Sequence, residues 1–165
     1  MDQRAMPRSR QLVTLQRLRV NQGKLLVEFM KTDIWVTVNW PSPGIELHDV
    51  VRRRMPFRPF QFLAEMLCID EELLGKHMGI SSELMSSATT IGFFPLCESR
   101  RLYGLIVALQ ASYELFEGDA QAAGAFLRSP LRCFNSKAPL EMLITEEGAS
   151  AVIDLIGQLE HGVLT

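Results

Sequence analysis

His48, His77 and His161, together with Cys68, Cys97 and Cys133, are the side chains of this 165-residue chain best suited to hold a metal or attack a substrate. A zinc site needs such groups at short spacing on one turn or one helix face. The histidines fall in three separate zones, with no Cys or carboxylate at ligand spacing. The cysteines are odd in number and irregularly spaced, so neither a metal ribbon nor a disulfide framework is expected, and a reducing cytoplasm fits best. Glu146 and Glu147 have the form of an acid/base pair, but they follow Thr145, and two carboxylates just after a capping threonine are what the positive end of a helix dipole favours. Phosphate-binding loops, dinucleotide fingerprints and nucleophile elbows are absent. The residues predict a protein that binds rather than catalyses, with no metal and no cofactor.

What it binds is suggested by charge. The chain has 17 Lys and Arg against 19 Asp and Glu, a formal −2 that argues against a nucleic-acid partner. The average conceals a division: residues 1–59 carry eleven basic and five acidic residues, a net of +6, whereas residues 60–165 carry six and fourteen, a net of −8. The 47% hydrophobic and 22% charged composition is that of an ordinary globular protein, and no stretch approaches the roughly 20 apolar residues that span a bilayer.

The elements that must position these groups fall into three zones. In residues 1–58 the segments LVTLQRLRV, KLLVEFM and IWVTVNW are separated by turn signals, and Ile34, Val36, Val38 and Trp40 alternate as in a half-buried strand, so a small β-meander is expected there. PSPG and the run Arg52-Arg53-Arg54, followed by Pro56 and Pro59, make a basic linker. Residues 59–97 turn helical: a helix opens at Pro59, Asp70 caps EELLGKHM, Gly79 stops it and Ser81 caps SSELMSSA, the spacing of a helix-turn-helix. In residues 98–165 a long helix runs from Glu98 to Phe116, with Leu102, Leu105, Ile106, Leu109, Tyr113 and Phe116 along one face. Asp119 caps AQAAGAFLR, Pro130 closes it, Pro139 opens APLEML, and Thr145 caps the last helix, whose stripe is Val152, Ile156, Leu159 and Val163. The fold class is mainly α, a helix-turn-helix-like unit leading into a C-terminal helical bundle.

From about Phe60 onward the chain resembles the antitoxins of the Xre/MbcA/ParS family. The resemblance is carried by CESRRLYGLIVALQASYELFEGDAQAAGAFLRSP and then APLEMLITEEGASAVIDLIGQLEHGVLT: an acidic residue, Ser and Arg entering the long helix, an Ala-rich helix ending in Leu and Pro, a Pro-Leu-Glu-x-Leu turn, a Thr and Gly pair, and a terminal Glu-x-Gly. It covers roughly 70 residues in order. The family commonly has Trp where Phe126 stands, a Gly-Gly type loop where Phe134-Asn135-Ser136 stands, and Thr where Ala138 stands; an alanine cannot cap, at a cost of about 1 kcal/mol.

The resemblance implies an antitoxin whose partner is a RES-type toxin that consumes or transfers NAD, held inactive when the C-terminal domain covers its NAD pocket. It points to Glu160, His161, Gly162, Val163, Leu164 and Thr165 as the toxin-binding residues. Gly162 lets the backbone leave the helix, and Val163-Leu164-Thr165 offers an apolar plug with an anionic end to a cleft built for an anionic dinucleotide. The plain alternative is a tail that packs on its own bundle or frays. The resemblance also implies a homodimer, through the long helix and bundle (Tyr103, Val107, Leu109 and Tyr113 are interface candidates, each also suited to the core), and repression of the protein's own operon through operator DNA. Here the residues dissent: the recognition helix, Ser81 to Thr90, has no Lys or Arg and carries Glu83. Ser81, Ser82, Ser86 and Ser87 could hydrogen-bond DNA, but the charge is expected from the basic arm, Arg52, Arg53, Arg54 and Arg58, with Arg8, Arg10, Arg17 and Arg19 as further candidates; the plain alternative is a linker kept soluble by arginine. A DNA-binding regulator without a toxin partner is the alternative function.

Overall fold

A computed structural model describes residues 54–162. Within them the chain forms seven helices: α1 (Phe57–Met66), α2 (Glu71–His77), α3 (Ser82–Ile91), α4 (Leu96–Leu115), α5 (Ala120–Arg128), α6 (Pro139–Met142) and α7 (Glu146–Glu160), with a 3-10 turn at Arg132–Phe134. The described residues hold no sheet, only isolated antiparallel bridges at Pro56–Phe93 and Leu131–Lys137. The mainly α class is as the sequence predicts. The expected β-meander, with Arg52, Arg53 and His48, lies outside the described residues, as do Val163, Leu164 and Thr165.

Four helix starts carry the side-chain caps expected of them. Asp70 accepts from the Leu73 N–H (2.6 Å), Ser81 from Leu84 (3.3 Å), Asp119 from Gln121 and Ala122 (2.9 and 3.0 Å), and Thr145 from Gly148 (3.0 Å). Two starts differ from expectation. α1 begins at Phe57 rather than at Pro59, and α4 at Leu96 rather than at Glu98, each with a proline, Pro56 or Pro95, in the cap position. Pro59 fits inside the first turn because its missing N–H would have had no helical acceptor. The Phe57 N–H goes instead to the Gly92 carbonyl (2.9 Å) and Phe94 N–H to the Met55 carbonyl (2.8 Å), so the two starts are held side by side by tertiary bonds. Phe57, Phe60 and Phe94 close over this junction, their ring centroids 5.1 to 5.9 Å apart.

α4 is the central element, packed against α5 and α7. Leu102, Leu105, Ile106 and Leu109 are buried as their periodicity predicts, which places Leu109 in the core and removes it as an interface candidate. One contiguous core runs from Met55 and Phe60 through Leu67, Leu74 and Met78 to Leu127, Leu140, Val152 and Ile156, so the α1–α3 segment and the C-terminal bundle share an interior. Gly124 is one point where they meet closely. A Cβ there would lie 3.1 Å from the Met66 carbonyl oxygen and 3.6 Å from Leu67 Cα. Gly124→Val is therefore expected to wedge α5 from the end of α1 and to lower stability by about 1–3 kcal/mol in urea denaturation, despite the better packing surface of valine.

The loop after α5 accounts for one departure from the family pattern. Asn135 (φ 54°) and Ser136 (φ 62°) are consecutive left-handed residues, closed by Ser136 N–H to Leu131 O (2.9 Å) and Leu131 N–H to Lys137 O (3.0 Å). Glycine is the residue that takes this conformation without strain, and Asn is among the few others that tolerate it. Asn135-Ser136 thus holds the backbone that a Gly-Gly pair would adopt freely. Phe126, at the family's Trp position, is tilted on Phe116 with centroids 5.7 Å apart.

Candidate functional site

The C-terminal end is built by α7. Thr145 fixes where the helix starts, and Gly148, buried in its first turn, lies so close to α6 that a Cβ would collide with the Met142 carbonyl. The helix then lies along α4, where Gly104 lets Ala149 approach to within 3.6 Å of a Cβ position. At the far end Glu160, His161 and Gly162 are all exposed. His161 N–H bonds Gly157 O (3.1 Å), Gly162 N–H bonds Leu159 O (3.2 Å), and Gly162 takes φ +66° with nothing within 4 Å of its would-be Cβ. This is the glycine-terminated helix end that releases a chain away from the axis. Of the six predicted toxin-binding residues, three stand on this exposed end, and Val163, Leu164 and Thr165 follow outside the described residues.

The second site is the corner made by α2, the Gly79 turn (φ +65°) and α3. Ser81, Ser82, Ser86 and Ser87 are all exposed, but Ser81 already spends its hydroxyl as a cap. Glu83 is held below its ordinary pKa by its own backbone N–H and then by the Ser81 hydroxyl, so a full negative charge sits at the N-terminus of α3. That is the end from which a recognition helix reads bases. Arg54, exposed, joins at the opposite end, because the chain beside it pairs with residues 92–94 just after α3. A ten-residue helix is about 15 Å long, so the serine-rich N-terminus and Arg54 lie toward ends of α3 separated by about that length.

Sequence reasoning missed three exposed apolar side chains that flank α3 and α4: Ile91 (62% exposed), Phe93 (47%) and Leu96 (44%). It also missed the burial of Glu98 and Ser99 at the start of α4. The three cysteines are free and exposed, and no group of His, Cys, Asp or Glu among the described residues could hold a metal ion. No helix among them is long and apolar enough to cross a membrane.

The fold is an α-helical bundle whose last helix ends in an exposed glycine, and its sequence places it in a class. Residues 111–162 match the family described as the antitoxin Xre/MbcA/ParS C-terminal toxin-binding domain. Over 134 residues, 80% of this chain and 90% of the relative, it is 36% identical to a protein named Antitoxin Xre from Yersinia enterocolitica. Over the same shares it is 28% identical to an Antitoxin Xre from Photorhabdus laumondii. The chain belongs to the Xre/MbcA/ParS antitoxin family: its function is that of an antitoxin rather than an enzyme, and a toxin-binding domain implies a cognate toxin.

Proposed function

We propose that the cognate toxin is of the RES type, consuming or transferring NAD, and that this antitoxin silences it by laying the C-terminal domain over the NAD pocket with residues 160–165 directed into it. The supporting observation is the end of α7: a rigid helix, packed along α4, finishing in an exposed glycine with open space around it. Such an end delivers the apolar Val163-Leu164 pair to a cleft while the bundle supplies the fixed surface behind it. The reading is tested by expressing the reading frame adjacent to this gene, alone and with the antitoxin. Growth arrest with falling NAD, relieved by co-expression, is the expected result; an adjacent product that leaves NAD untouched sinks the RES assignment.

Repression of its own operon, as a homodimer, is the second activity of this reading. The α3 surface carries serines and an ionised Glu83 but no cation, so in this reading the affinity comes from the basic arm, Arg52, Arg53, Arg54 and Arg58. Replacing Arg52, Arg53 and Arg54 with Ala is expected to weaken operator binding and to flatten the slope of log affinity against log salt by about 0.9 for each phosphate that is no longer neutralised. An unchanged affinity and slope would remove the basic segment from the account. Operator binding that persists in a cell with no toxin gene would favour the regulator that has no toxin partner.

A further inference from the structure

Residues 60–165 carry six basic side chains against fourteen acidic ones, and three of the six, Arg128, Arg132 and Lys137, fall within ten residues. No Asp or Glu stands between Asp119 and Glu141. All three cations are exposed, and no carboxylate among the described residues is paired with them. An acidic half of the chain thus presents a basic spot at the end of α5.

The loop that holds the spot is closed by its own backbone. Leu131 N–H bonds Lys137 O (3.0 Å), Ser136 N–H bonds Leu131 O (2.9 Å), and Lys137 N–H bonds Phe134 O (3.1 Å). Phe134 packs on the core, and Ala138, Pro139 and Leu140 are buried directly after the loop, so its base is anchored. Arg128 gives its Nε–H to the Gly124 carbonyl (3.1 Å), and its two terminal nitrogens have no acceptor among the described residues. Charges carried on a fixed backbone lose less freedom when a partner arrives. The loop also lies within the toxin-binding region, residues 111–162. We propose that Arg128, Arg132 and Lys137 form a docking spot for an acidic patch on the cognate toxin, separate from the end of α7. This rests on the toxin-binding role of the domain and not on the toxin's chemistry. A nucleic acid is the poorer fit, because a long polyanion meets the net −8 of residues 60–165 as well as the loop, whereas a protein partner need match only the local spot. Exposed ion pairs add little affinity, so the loop acts on encounter: it speeds association and fixes the orientation in which the end of α7 arrives.

The test is the rate at which the full chain associates with the product of the adjacent reading frame, followed by stopped flow at several salt concentrations. Arg132→Glu/Lys137→Glu is expected to slow association about tenfold or more at low salt, to change dissociation less than about threefold, and to abolish the slowing that salt causes in the unaltered chain. Lys76→Glu/Arg100→Glu makes the same change in net charge at exposed cations outside the loop and is expected to stay within about twofold. Equal slowing by the two double variants, or none by the first, would overturn the proposal. Weaker operator binding with toxin association unchanged would overturn it as well and give the loop to nucleic acid. Both double variants are checked by their melting curves, and if the first does not fold, Arg132→Gln/Lys137→Gln replaces it with a smaller slowing in the same direction. An unaltered chain that does not bind the product sinks the toxin reading itself, whereas binding that ignores the loop charges sinks this proposal alone.

Discussion

Removing Gly162–Thr165 will abolish protection from the cognate toxin and weaken its binding by about a hundredfold or more, while the melting temperature moves by less than about 2 °C. The two halves of this expectation have separate physical sources. Stability is expected to be insensitive because Glu160, His161 and Gly162 are exposed and, among the described residues, Gly162 is tied back by its N–H to the Leu159 carbonyl. The last core residue of α7 is Ile156, more than a turn earlier. In the proposed plug, binding is sensitive because a short segment entering a pocket would concentrate the desolvated contacts, whereas the surface around it would mainly exclude water. A subtler variant separates shape from charge. Leu164→Asp keeps the length of the tail but puts a carboxylate where the plug should be apolar, and it is expected to lose most of the protection. Full protection by the truncated chain would refute the plug and leave the bundle surface alone to do the inhibiting. Co-expression rescue, with the purified proteins' melting curves alongside, reads both halves.

What was legible in the sequence was the local chemistry. Asp70, Ser81, Asp119 and Thr145 cap the helices expected of them, because a capping bond spans only two or three residues and needs no knowledge of the rest of the fold. The apolar faces of α4 and α7 follow from their period for the same reason. The errors came where a bond crosses the chain. α1 and α4 start at Phe57 and Leu96 because Gly92 and Met55, distant in sequence, take up the backbone groups there, and nothing within either segment announces it. The exposed Phe93 and the buried Glu98 are inverted relative to residue type for the same cause: the Pro56–Phe93 bridge turns one face of the junction outward and Ser99 draws the start of α4 inward. At the candidate sites, the glycine exit at residue 162 was legible, but the distance between the serine-rich end of α3 and Arg54 was not. Sequence order sets the two about 30 residues apart, and only the fold reveals that they meet opposite ends of one helix.

Gly148→Ala is expected to destabilise the protein by about 3 kcal/mol or more, the reverse of what helix propensity predicts. In a helix interior the exchange ordinarily stabilises by roughly 1 kcal/mol, since glycine loses the most backbone freedom on folding. Gly148 cannot profit from this. A Cβ built on it overlaps the Met142 carbonyl oxygen, comes within 2.9 Å of that carbonyl carbon and within 3.0 Å of Thr145 Oγ1. The first two are backbone atoms of α6, which no rotamer change can move. The third is the acceptor of the Gly148 N–H itself, so relieving the clash by shifting α7 would also break its cap. The Thr and Gly pair of the family pattern is thereby explained as one device: threonine starts the helix, and glycine lets the preceding turn close over it. Gly157 is the internal control. It lies in the same helix, with nothing within 4 Å of its would-be Cβ, so Gly157→Ala should stabilise by about 0.5–1 kcal/mol in the same urea titration. If both alanines stabilise, the close approach of α6 to α7 is not what fixes the helix. If Gly148→Ala alone fails, protection from the toxin should fall with it, this time together with the melting temperature, because the helix that carries residues 160–165 has lost its seat.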